Sequence, residues 1–165
     1  MNRGGLNRGG GSPVVLTLEG TGLPGSSCAG AAGFPGYEGI HVAVQRRGRP
    51  QELLGVTPGD APGARWTLEC LARPSADGLA ELTGPYVQGG PGGRFVYLSW
   101  GTVGPGGQGF AMFRRAKLVL GAIPPEVAAA AVRTGRLTGR LGLTDAHGRP
   151  LCARVVPPAI SWTAR

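Results

Sequence analysis

Carboxylates are scarce in this chain, and so is lysine. Nine Asp and Glu residues stand against 17 Lys and Arg, and every cation except Lys117 is an arginine. Acid/base work would fall to Glu19, Glu69 or Asp60, with Glu69 in mid-strand between Leu68 and Cys70. The three cysteines, Cys28, Cys70 and Cys152, are odd in number and contain no CxxC pair. That indicates neither a disulfide framework nor a zinc knuckle. The two histidines, His41 and His147, have no ligand partner at metal spacing, so no metal and no cofactor are expected. No apolar run reaches the roughly 18 residues that cross a bilayer. The basic start, Met1 to Ser12, is not followed by a signal core, and a cytoplasmic location without membrane contact is expected.

Glycine and proline are abundant. With 32 Gly and 15 Pro the chain must turn often, while 41% hydrophobic and only 16% charged residues argue against disorder. A length of 165 residues suits one domain with one core. The net charge of +8 invites polyanions. An Arg-, Gly-, Ala- and Pro-rich composition is also what a GC-rich genome produces without selection for binding.

Residues 1–12 carry a near-duplicated NRGG unit and read as a flexible tail before a single globular domain over 13–165. Val14, Leu16 and Leu18 then alternate with polar positions, the period-two signature of a half-buried strand. Gly20 to Gly39 reads as a long loop, and loops of that length are functional or mobile. Ile40 to Gln45 and Arg65 to Ala72 alternate again, Leu53 to Val56 suits a short edge strand, and Asp77-Gly78 suits a hairpin into Leu79 to Leu82. Gly84 to Gly93 reads as a Gly/Pro loop leading into Phe95 to Trp100, a central strand with both faces buried.

Phe110 to Leu120 supplies one or two strands. One helix is expected from Pro124 to Thr134, with Pro125 and Glu126 in its first turn, Arg133 in its last and Gly135 behind it. Leu137 to Thr144 and Cys152 to Val156 complete the strands, and Ile160 and Trp162 dock the C-terminus. About eight short strands and one short helix predict a mainly β fold, a sandwich or partly closed barrel, with α+β as the alternative.

Three segments carry a resemblance. They are Gly84 to Gly101, most recognisable in Gly84, Pro85, Gln88, Gly89, Pro91, Arg94, Phe95, Val96 and Tyr97; Arg114-Arg115 before Lys117-Leu118; and Asp145 to Pro158. Together they resemble a bacterial domain-of-unknown-function family, numbered five-nine-nine-zero, over about Val14 to Trp162. The resemblance implies a single-domain fold and no particular chemistry.

The candidate ligand-binding residues are Gln88, Gly89, Gly92, Arg94, Arg115 and Lys117. Glycine lets backbone amides approach an anion and an arginine grips it, although the loop lacks the Lys and Ser/Thr of a P-loop. The expected role is a non-enzymatic binding or interaction domain for an anionic small molecule or a protein partner. Two rivals remain: a small enzyme using Glu69, Tyr86 or His41, and a nonspecific nucleic-acid binder, for which Tyr97 and Phe113 read as core rather than as exposed stacking rings.

Overall fold

Alternation of apolar and polar residues sets the strands of this protein. The computed structural model describes residues 11–21, 36–54, 65–90, 93–105, 108–143, 147 and 160–165. They form β1 (Val14–Thr21), β2 (Glu38–Gln45), β3 (Gln51–Leu53), β4 (Arg65–Ser75), β5 (Gly78–Thr83), β6 (Val87–Gly90), β7 (Gly93–Val103), β8 (Phe110–Leu118), α1 (Pro125–Thr134), β9 (Arg136–Leu141) and β10 (Ile160–Thr163). The fold is mainly β, as expected, and consists of two open sheets rather than a closed barrel.

The first sheet has the order β10-β9-β1-β4-β5. In β1 every second residue is buried, and antiparallel pairing sets Leu16 opposite Cys70 and Leu18 opposite Leu68, so one face is continuously apolar. On its other edge β1 pairs with β9 in parallel, which sets Leu16 beside Leu137. That face meets Ile40, Val42 and Val44 of β2 and Val96, Leu98 and Trp100 of β7 in one core cluster. Fully burying each such Val or Leu contributes about 1.5–3 kcal/mol.

The crossover between the sheets runs through a 3-10 turn at Leu120–Ala122 and then α1. Pro125 opens the helix, Glu126 and Arg133 complement its dipole, and Gly135 ends it in the left-handed region at φ 76°, its N–H donating to the Ala131 carbonyl. Ala128 and Ala131 are buried as α1 packs chiefly on β5 and β9. Small residues suit this approach: a Cβ on Gly78 would stand 3.6 Å from that of Ala128.

In the second sheet β7 is the centre. Val96 pairs with both Val87 and Leu118, and Leu98 with both Val44 and Ala116, so β8 lines one edge of β7 while β2 and β6 follow one another along the other. β6 is a departure from expectation, since Gly84 to Gly93 reads as loop in sequence. Its pairing with β7 uses backbone groups, to which glycine is no obstacle. β3 forms earlier than the expected Leu53 to Val56, at Gln51–Leu53, where it pairs with β2. Expected features at residues 1–10, most of the Gly20 to Gly39 loop and the strand at Cys152 to Val156 lie outside the described residues.

Candidate functional site

Strand alternation divides β7 into two sets. Val96, Leu98 and Trp100 enter the core, and Phe95, Tyr97 and Ser99 take the opposite face, where the two rings are half-buried and Ser99 is fully covered. Register then assembles a surface around them: Gln88 stands opposite Phe95, Lys117 opposite Tyr97, and both Ala43 and Arg115 opposite Ser99. Gln45 is next along β2 from Val44, the partner of Leu98, and is itself paired with Gln51.

These side chains hold one another. The Arg115 guanidinium lies 3.9 Å from the Tyr97 ring centroid and donates to Gln45 Oε1. The Lys117 ammonium lies 4.5 Å from the Phe95 centroid and 5.6 Å from that of Tyr97. The two rings meet edge to face at 4.6 Å. Gln88 Nε2 donates to the Gln45 carbonyl at 3.1 Å, and Gln51 Nε2 to Ser99 Oγ at 2.6 Å. Arg115 and Lys117 are exposed, and among the described residues neither forms an ion pair. No Asp or Glu occurs in β6, β7 or β8, and Glu52 of β3, opposite Val44, alternates onto the other face.

Of the sequence candidates, Gln88, Arg115 and Lys117 therefore come together. Gly89 shapes the β6–β7 hairpin at φ 97°, and Gly92 lies outside the described residues. Arg94 goes elsewhere. Its position in β7 has the parity of the core, and it bridges to the first sheet, with Nε 3.1 Å from Glu81 Oε1 and Nη1 3.5 Å from the Leu82 carbonyl. Glu81 also reaches Arg73 at 3.5 Å, so the groove of about 510 Å³ around them already contains its own carboxylate. A cleft of about 290 Å³ beside Trp66 is similarly occupied by the Glu19–Arg140 pair at 2.7 Å.

The rings of Phe95 and Tyr97 were not legible as surface groups: Tyr97 is half-buried on an outward face, not in the core. Their polar cross-strand partners, Gln88 and Lys117, mark the face as outward only once the register is known. Arg46, Arg47 and Arg49 follow β2, and Arg114, Arg115 and Lys117 lie in β8, so these two basic groups border the same sheet from opposite edges of β7. Arg46 turns to Tyr86 instead, donating to its hydroxyl at 3.0 Å, and that bond raises the guanidinium's pKa. Arg114, opposite Trp100, remains exposed at the sheet edge.

The residues of the enzymatic alternative do not converge. Glu69 is exposed on the outer face of the first sheet, whereas His41 is buried on the outer side of the second, opposite Gly101. Tyr86 is bound to Arg46. Among the described residues no three His, Cys, Asp or Glu side chains gather as metal ligands, and no helix is long and apolar enough to cross a membrane.

No curated protein and no solved structure matches the chain. Residues 14–165 match the family described as a family of unknown function, DUF5990, across nearly the whole sequence. With that coverage, the chain belongs to the family of unknown function DUF5990.

Proposed function

We propose that this domain binds an anionic ligand, without transforming it, on the outward face of β6, β7 and β8. One observation carries the reading: Arg115 and Lys117 stand over Tyr97 and Phe95 on strands that contain no carboxylate. Elsewhere the arginines Arg73, Arg94 and Arg140 are matched by Glu81 or Glu19. A guanidinium held by a ring and an amide is oriented before the ligand arrives, which lowers the ordering cost of binding. A bacterial cytoplasm is the setting this reading assumes.

The test is calorimetric titration with inorganic tripolyphosphate at low and moderate salt. Arg115→Ala with Lys117→Ala is expected to weaken binding at least tenfold, and Arg94→Ala to leave it within twofold. Loss of binding in Arg94→Ala alone would move the site to the hairpin groove.

A further inference from the structure

We infer that the ligand class of this face is single-stranded nucleic acid. The inference rests on the anion-binding reading above and adds to it the recognition of bases. A phosphate site needs cations and N–H donors, but it has no use for a pair of partly exposed aromatic rings. Bases do, because each has an aromatic face of its own.

The arrangement supplies both halves of such a ligand's chemistry. Phe95 and Tyr97 lie two residues apart on one side of β7 and touch edge to face. Arg115 covers Tyr97 at stacking distance while remaining exposed, so the outer plane of its guanidinium is open to a base. Lys117 makes no hydrogen bond or ion pair among the described residues, and its ammonium is available to a phosphate beside Phe95. Gln88 and Gln51 each use their Nε2 within the sheet, leaving their carbonyl oxygens for base edges.

Charge selects the same class. The face has no carboxylate on its three strands, and the chain carries +8 overall. A duplex fits poorly, since its bases are stacked inside and a flat sheet centre cannot reach them. DNA and RNA single strands share the chemistry needed, a flexible polyanion with accessible bases; a 2′-hydroxyl partner would separate them.

The test is fluorescence anisotropy on the full chain with four labelled probes: a 12-nucleotide dT strand, the matching U strand, an abasic chain of equal length and a 12-base-pair duplex. Unlabelled tripolyphosphate serves as competitor. The dT or U strand should bind at least tenfold more tightly than the abasic chain and the duplex. Arg115→Lys, which keeps the charge and loses the plane, and Phe95→Leu should each cost the base-containing strand about five- to tenfold, a larger loss than either causes with the abasic chain. Arg115→Ala with Lys117→Ala should weaken both and flatten the log–log salt slope by about 1.4, two phosphates' worth for a single strand.

Circular dichroism checks that each variant folds. Arg115 is exposed, so Arg115→Lys keeps the test decisive where Phe95→Leu perturbs packing. Equal binding of abasic and base-containing strands overturns the inference but leaves an anion site. Equal or tighter duplex binding overturns it as well. Failure of every probe and of tripolyphosphate to bind overturns both readings.

Discussion

Acid should destabilise this domain through one histidine. His41 lies in β2 opposite Gly101, is 1% exposed, and neither ring nitrogen has a hydrogen-bond partner among the described residues. Burial lowers its pKa from 6.5 to about 4. The folded imidazole therefore stays neutral where the unfolded one takes up a proton. Its contribution to stability is complete above pH 6.5, declines as pH falls, and is gone below about 4. At about 1.4 kcal/mol per pH unit the whole span is worth about 3 kcal/mol, of which about 2 kcal/mol is lost by pH 5. A domain of this size with about 5–15 kcal/mol to lose would melt about 4–8 °C lower at pH 5 than at pH 7.5. Urea titrations followed by tryptophan fluorescence at both pH values measure the loss, because Trp66 and Trp100 are buried. His41→Gln is expected to lower stability at pH 7.5 and to remove most of the difference between the two pH values. An unchanged difference in His41→Gln, or none in the parent, would refute the reasoning.

Three further expectations follow from packing and charge. The Cys70 thiol, pushed up to about 12 by burial and then by Glu69, is about one part in ten thousand thiolate at pH 8, so peptide mapping after iodoacetamide should find it unmodified in the native protein and fully modified in guanidinium. Gly139→Ala would place a Cβ 2.6 Å from the Trp162 ring and 2.8 Å from Leu18; it should cost about 1–3 kcal/mol in urea titration and loosen β10 towards proteolysis. Glu81→Gln removes the partner of Arg73 and Arg94, but those side chains are 65% and 41% exposed, so the expected change in chemical denaturation is below about 1 kcal/mol.

Local signals in the sequence identify most strands and the helix. The alternation in Val14 to Leu18 and Arg65 to Ala72 places the correct residues in the core, and Pro125, Glu126, Arg133 and Gly135 mark the ends of α1. What it cannot express is adjacency between distant segments. β6 has only Val87 as a buried anchor and exists because β7 lies alongside, while β1 and β9 meet across more than a hundred residues.

The same limit governs the site. The parity that separates Arg115 and Lys117 from Arg114 is visible along β8, but the position of Gln45 beside Arg115 depends on β2 and β8 both flanking β7. In sequence Arg94 groups with the others because it follows the Gly/Pro run. Its parity sends it instead to Glu81. Aromatic residues in a strongly β-prone segment signal a strand without revealing whether its second face is covered, which is why Tyr97 reads as core in sequence and is half-buried in the structure.

The parallel partnership of β1 with β9 also orders events during synthesis. β1 is the middle strand of the first sheet, and it leaves the ribosome before either of its neighbours. It gains one neighbour when β4 emerges and the other only when Arg136–Leu141 follows α1 out. Until then Val14–Thr21 presents an open edge of backbone donors and acceptors, which another nascent chain can pair with as readily as β9 can. Translation speed through residues 120–141 thus sets how long that edge is exposed, and slowing there should divert more of the product into aggregates.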